Sequence, residues 1–258
     1  MTDARLDAMA RHMWDARRAR TKHANLPDDL KPASIAEAYR AQDIYHRLAE
    51  PVYGPVGGVK VATTTKVMQE LMGITHPCGG AIFTNTIHTS PARLRTSDFV
   101  NLRLESEIAL KLGGDLPASR APWTRTSVAA AVAGAMPAFE LIEDRNADYP
   151  RCDVRSLIVE NCWNGGIVIG APKAMPADAL VGIAGRLALD GKLVGEGKAE
   201  DPYATLAWLA NHLAERGRDL KAGMVVITGS LIATVSIASG SRAVFTVEGL
   251  GEAVLEAL

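Results

Sequence analysis

Between positions 102 and 112 apolar and polar residues alternate, which predicts a β-strand. Leu104, Ile108 and Leu110 form its apolar edge, interrupted by Ser106. Successive strand side chains point to opposite faces, so Glu105 and Glu107 share the other side. A second apolar run, 136–142, carries a lone Glu140. A carboxylate among apolar neighbours is costly to bury unless something pairs with it. The same alternation also suits the wet face of a half-buried sheet.

The remaining pattern predicts helices first and strands later. Residues 3–22 suit a helix with Leu6, Met9, Met13 and Trp14 near one side. Ser34 and Glu37 read as a capping box opening a second helix, which Pro51 and the glycines at 54, 57 and 58 end. A short strand over 58–62 runs into Thr63, Thr64 and Thr65, and a short helix over 66–72 closes at Gly73. Pro77, Cys78, Gly79 and Gly80 read as a turn or loop before apolar 81–83, and 92–94 reads as a strand. Thr126 or Ser127 can cap a helix through the alanines to Ala135, with Pro137 ending it and opening the Glu140 strand. A short strand follows at 167–169. Asp190-Gly191 suits a type I′ hairpin turn, although 177–189 also holds acceptable helix formers. Asp201-Pro202 starts a helix that Gly217 stops, and the strands expected after it lie at 224–228, 233–237, 243–247 and 253–255. The fold class is α+β, expected as one domain over 1–258, with a helical portion (1–55) and a β-rich core (56–258).

Composition narrows the function classes. The 258 residues, 48% hydrophobic and 22% charged, can bury a sizeable core. A net charge of -1 with no polybasic tract gives no field for nucleic acid. No apolar run reaches membrane-spanning length, and the start of the chain lacks the apolar centre of a signal peptide. Three widely spaced cysteines, Cys78, Cys152 and Cys162, argue against a disulfide framework. The expectation is a cytoplasmic protein in a reducing compartment.

Several side chains could do chemistry. Three oxygen donors on two strands, Glu105, Glu107 and Glu140, could hold one hard divalent ion, which would remove their mutual repulsion. Lys60 lies between Val59 and Val61; burial would lower its pKa and suit it to proton transfer, whereas a strand-edge lysine would keep its ammonium in water. Thr64 and Thr65 offer hydroxyls beyond that strand, or are simply β-branched strand-end residues. Thr228-Gly229-Ser230 ends another strand; it could bind a carboxylate through N–H and hydroxyl groups, or form a bulge. Trp163 and Asn164, before Gly165-Gly166, could line a pocket, or Trp163 could fill the core. No histidine pair has zinc spacing, and there is no GxSxG elbow, P-loop or dinucleotide fingerprint.

Seven stretches in order resemble the 2-keto-4-pentenoate hydratase and 4-oxalocrotonate decarboxylase family of the fumarylacetoacetate hydrolase superfamily. They are Lys60-Val61-Ala62-Thr63-Thr64-Thr65-Lys66-Val67-Met68-Gln69; Leu104-Glu105-Ser106-Glu107-Ile108-Ala109; Leu112-Gly113-Gly114-Asp115-Leu116-Pro117; Pro137-Ala138-Phe139-Glu140-Leu141-Ile142; Gly165-Gly166 with Gly170; Ala207-Trp208-Leu209-Ala210-Asn211; and Thr228-Gly229-Ser230-Leu231. The resemblance implies a mixed β-roll or barrel core with N-terminal helices, a homo-oligomer, and Mg²⁺ or Mn²⁺ on Glu105, Glu107 and Glu140. It implies Lys60 as the active-site lysine, and Lys60, Thr64, Thr65, Cys78, Trp163, Thr228 and Ser230 around a small 2-oxo acid. The implied reaction is hydration of a 2-hydroxy-dienoate or 2-oxo-enoate to a 4-hydroxy-2-oxo acid. Decarboxylation of a 4-oxalocrotonate-like diacid, C–C hydrolysis and a non-catalytic partner subunit are the alternatives. The chain departs from the family pattern at Cys78, where Asp-x-Gly is common, and at 161–164, where small Ser-rich residues are common.

Overall fold

The computed structural model of the chain describes residues 3–258. Helices α1 (Asp3–Arg18) and α2 (Ile35–Tyr53) lead. The Ser34 hydroxyl accepts the Glu37 N–H at 3.1 Å, and Glu37 accepts the Ala33 N–H at 2.5 Å, so the capping box forms with its return bond displaced by one residue. Pro51 does not stop α2; it lies in the last turn, and the helix ends at Gly54, whose φ of 77° disfavours a side chain.

Thirteen strands follow: β1 (Val56–Ala62), β2 (Cys78–Phe83), β3 (Ile87–Thr89), β4 (Ala92–Leu94), β5 (Leu102–Leu112), β6 (Val132–Glu143), β7 (Asn164–Ile169), β8 (Ala184–Leu189), β9 (Lys192–Lys198), β10 (Val225–Ser230), β11 (Val235–Ser236), β12 (Arg242–Val247) and β13 (Gly251–Ala257). The larger sheet has the order β2-β1-β10-β5-β6-β7-β3, with β11 added on β5; the smaller has the order β4-β13-β12-β8-β9. Between these strands lie α3 (Lys66–Leu71), α4 (Arg125–Val128), α5 (Val154–Val159), α6 (Ala177–Leu180) and α7 (Pro202–Ala214).

The alternation in β5 decides which face goes where. Leu104, Ile108 and Leu110, with Phe139 and Leu141 of β6, pack toward the smaller sheet and α7, meeting Phe245, Ala253 and Leu255. On the other side, α1, α2 and α5 build a second apolar cluster with β2 and Ile142. The expected β-roll or barrel is a curled sheet that stays open. Its β2 edge comes back against β7 but does not pair with it. No helix among the described residues is long and apolar enough to cross a membrane.

The structure departs from the sequence reading at three places. The run 132–135 is strand rather than helix, and Pro137 sits within β6 opposite Ile108. Alanine favours helix locally, but backbone pairing with β5 on one side and with Lys173 on the other overrides that preference, even though Ala133 stays exposed. The helix before it is short and capped by Thr124, with Ser127 returning the bond, rather than by Thr126 or Ser127. Cys78, Gly79 and Gly80 are not a loop but the start of fully buried β2. The Asp190-Gly191 hairpin forms, with φ of 50° and 77°, and excludes the helical alternative.

Asp153 ties the helical layer to the core. It caps α5 and accepts Lys31 Nζ at 2.9 Å and Arg155 Nη2 at 3.0 Å. Burial pushes its carboxyl up, but hydrogen bonds from Arg155 and Lys31 outweigh that and hold it at about 2, below the ordinary 3.8. A depressed acid stabilises the fold above its unfolded pKa and loses that contribution as pH falls through the folded value. The urea midpoint of Asp153→Asn, which keeps a cap, is therefore expected below wild type at pH 7. The gap is expected to close as pH falls from about 4 toward 2.

Candidate active site

Strand register brings the three acids together. Glu105 of β5 pairs directly opposite Glu140 of β6, and Glu107 lies two residues along, opposite Ser230 of β10. One carboxylate oxygen from each lies within 4.8 Å of the others. An oxygen of each acid is also tied to the protein. Glu105 Oε1 accepts the Thr234 hydroxyl at 2.7 Å, and Glu107 Oε2 accepts the Gly229 N–H at 2.6 Å. Glu140 Oε1 accepts Asn164 Nδ2 at 2.8 Å and lies 3.1 Å from Lys60 Nζ. Glu107 Oε1 and Glu140 Oε2 are buried and have no hydrogen-bond partner among the described residues. Unpartnered buried carboxylate oxygens, held by bonds to their other halves, are a ready donor set for a hard cation.

Lys60 belongs to β1, and β10 and β5 lie between it and β6 in the sheet. It reaches Glu140 because the sheet curls. Small residues permit that curl: a Cβ on Gly80 would sit 3.0 Å from the Asn161 carbonyl oxygen and 3.3 Å from Lys60 Cγ. The partner segment at this close approach is the turn Asn161–Trp163, whose three residues all have positive φ, 59°, 51° and 57°. Non-glycine residues rarely adopt this conformation and need support. The Asn161 amide supplies it. Its Oδ1 accepts the Ala81 N–H at 2.7 Å and His46 Nε2 at 2.8 Å, and its Nδ2 donates to the Ala81 carbonyl at 2.9 Å. Burial, then the positive charge of Arg218, holds His46 down at about 4, so it is neutral near pH 7 and donates to Asn161.

The electrostatics follow from crowding. Burial first, then the charges of Glu140 and Glu105, push Glu107 well above the ordinary carboxylate range. Glu140 is pushed up to about 7, by burial first, with Lys60 opposing and Glu105 adding to the rise. Lys60 is only 2% exposed, but the expected fall in its pKa does not occur. Burial opposes its charge, yet Glu140, Cys162, Glu105 and Glu107 outweigh burial and hold it as an ammonium. With every group charged, three carboxylates face one ammonium, an excess equal to the charge of one divalent cation.

A cavity of about 490 Å³ opens beside this cluster, and Lys60, Glu105, Thr64, Thr65, Trp163 and Ser230 are among its lining residues. Glu107 and Glu140 are wholly buried. Thr65 also caps α3. Three sequence expectations need correction. The Gly229 N–H is given to Glu107 rather than left for a ligand, and Gly229 (φ 106°) lies at a register shift in β10, so the bulge reading holds. The Thr228 hydroxyl donates to the Ile108 carbonyl at 2.9 Å and that of Ser230 to the Ile232 carbonyl at 2.7 Å; Thr228 lines an adjoining cavity of about 360 Å³ instead. Cys78 is fully buried and absent from the cavity wall, because β2 turns it into the helical cluster. Cys162, Tyr149 and Thr234 line the cavity, and none of these three stood out in sequence as a candidate. Asn164, read in sequence beside Trp163 as a pocket-lining residue, instead orients Glu140.

The chain is similar to known proteins over most of its length. Residues 60–256 match the model of the fumarylacetoacetate (FAA) hydrolase C-terminal family. The 2-hydroxyhexa-2,4-dienoate hydratase of Comamonas testosteroni is 28% identical over 253 residues, 95% of each chain. The 2-keto-4-pentenoate hydratase of Paraburkholderia phymatum is 27% identical over 256 residues, 96% of each chain. Among solved structures, 4-oxalocrotonate decarboxylase from Pseudomonas putida G7, complexed with magnesium and adipate, superposes with a TM-score of 0.91 at 23% identity, covering 100% of this chain and 99% of that one.

Repulsion among the three acids makes a testable difference to stability. In chelator-treated protein at pH 7, Glu107→Gln removes a buried acid whose ionisation burial and its two acidic neighbours oppose, and is expected to raise the thermal midpoint, by about 2–4 °C per kcal/mol relieved. Scanning calorimetry of wild type and variant, both in chelator, checks the sign.

Proposed function

The chain belongs to the fumarylacetoacetate hydrolase family, and from that premise we propose a divalent-metal-dependent hydro-lyase working as one domain over residues 1–258. It hydrates a 2-hydroxy-dienoate, or the corresponding 2-oxo-enoate, to a 4-hydroxy-2-oxo acid. The observation that carries this reading is the trio Glu105, Glu107 and Glu140, with two unpartnered buried oxygens, beside the Lys60 ammonium at a cavity wall. The end-to-end match to two hydratases supports hydration over other chemistries.

Glu105, Glu107 and Glu140 would hold Mg²⁺ or Mn²⁺, with Thr234, Gly229 and Asn164 orienting them. When bound there, the ion supplies Lewis-acid polarisation of a 2-oxo acid. Hydration of the dienol consumes one water: C5 and C3 each gain a proton, one from water and one from the 2-hydroxyl, C4 gains the hydroxide, and the 2-oxygen is left as the ketone. Among the described residues Lys60 is the only cationic side chain on the cavity wall, and it is assigned the proton transfer. Thr64 offers a hydroxyl from the strand end, and Met68, Met72, Leu157 and Trp163 keep bulk water from the reacting carbons. The proposal includes a homo-oligomer in a reducing, cytoplasmic setting, in keeping with three unpaired thiols. Decarboxylation of a 2-oxo diacid is the second reading, favoured by the fold likeness to the decarboxylase.

Chelation is expected to abolish consumption of a 2-hydroxy-dienoate, followed by loss of its ultraviolet absorbance, and Mg²⁺ or Mn²⁺ to restore it. Lys60→Met is expected to lower kcat by about 10²–10⁴-fold while Mn²⁺ binding, read by electron paramagnetic resonance, persists. Turnover indifferent to chelation would sink the reading.

A further inference from the structure

Resting on that reading of the site, the cavity wall also specifies the far end of the substrate. We infer that the acid carries an apolar substituent, alkyl or aryl, beyond its reacting carbons, and not a second carboxylate. Charge in the lining is confined to Lys60 and Glu105, and Lys60 is paired with Glu140. Away from these and the Thr and Ser hydroxyls, the wall is built by Met68, Met72, Ile142, Leu157, Trp163 and Tyr149.

The polar atoms of that aromatic wall are directed at protein groups rather than left for a ligand. The Trp163 indole N–H points at His23 Nδ1, 3.3 Å away, but that nitrogen gives its proton to Glu160 at 2.7 Å and so accepts no bond from Trp163. The Tyr149 hydroxyl donates to Asp144 at 3.0 Å. The Cys162 thiol faces the Gly79 carbonyl at 3.5 Å. Each ring or thiol therefore presents its apolar surface to a ligand.

The guanidinium on the acid-bearing side of β5, Arg103, keeps its Nε buried and without a partner among the described residues and turns its other two nitrogens to protein groups. Its Nη1 lies 3.7 Å from Asp144 and 3.5 Å from the Tyr149 hydroxyl, and its Nη2 lies 3.4 Å from the Thr234 carbonyl. A second substrate carboxylate reaching for Arg103 would meet the buried Asp144 charge as well. Placed against the methionines and Trp163, it would be desolvated with no cation to pair it. Size points the same way. The 490 Å³ volume lies in the range of roughly 300–1,000 Å³ that encloses drug-sized ligands, well beyond what a five-carbon acid fills.

The test uses the Mg²⁺-loaded enzyme with 2-hydroxy-dienoates ending in hydrogen, methyl, propyl, phenyl or carboxylate, scoring hydration product and CO₂ separately. Propyl and phenyl are expected to exceed hydrogen by at least about tenfold in kcat/KM, and carboxylate to fall below hydrogen. Binding gives a readout independent of turnover. By calorimetry on the Mn²⁺-loaded protein, 2-oxohexanoate is expected to bind at least about tenfold more tightly than 2-oxoadipate. Met68→Arg, on the half-buried face of α3, is expected to reverse that order. A carboxylate-ended dienoate as the best wild-type substrate, a flat profile, or tighter 2-oxoadipate binding overturns the inference and leaves the metal-dependent reading standing. No turnover of any dienoate together with no 2-oxo acid binding overturns both.

Discussion

Three carboxylates gathered in the protein interior are the costly feature on which the rest of the structure depends. Two of them, Glu107 and Glu140, have no solvent exposure. Their repulsion is met in part by Lys60 and by hydrogen bonds from Gly229, Asn164 and Thr234. The remainder is left for a cation. A fold tuned for stability alone would put apolar side chains here, since a well-packed hydrophobic replacement of buried charge is often neutral or stabilising. The placement therefore makes sense as a working site held against a stability cost.

The architecture meets this constraint by curling one sheet. Glu105 and Glu140 face each other by register alone, but Lys60 comes from a strand with two others in between. Its approach needs β2 to press against the left-handed Asn161–Trp163 turn, which is why position 80 of β2 is a glycine. That turn has two roles. Through Asn161 it locks to Ala81 and His46, and through Cys162 and Trp163 it forms part of the cavity wall. Behind it, Glu160 ties His23 to Arg145 in a fully buried charge network. The metal-facing chemistry and the substrate-facing surface are thus joined through a short strained segment.

Much of this was legible along the chain. Alternation exposed the β5 strand and the shared side of Glu105 and Glu107, because side-chain direction in a strand is a local property. The isolation of Glu140 in an apolar run marked it as needing a partner. Caps and turn residues located α2, α7 and the Asp190-Gly191 hairpin, since those signals act over three or four residues. Order of motifs pointed to the family, which the match over residues 60–256 bears out.

What remained hidden depended on long-range packing. The alanine-rich start of β6 reads as helix until β5 and Lys173, both distant in sequence, pair with its backbone. Cys78 looked like a site residue by position, yet the curl of β2 turns it away, while Cys162, marked in sequence only within the 161–164 departure from the family pattern, lines the cavity. The pKa of Lys60 was expected to fall with burial, and it rises because four groups from other strands and a turn surround it. The chain alone determined strand, cap and turn identities and the candidate acids, because these follow from neighbours a few residues apart. Only the tertiary structure decided which charges meet, which hydroxyls are already spent on backbone carbonyls, and which surface a substrate touches, because those depend on segments distant in sequence.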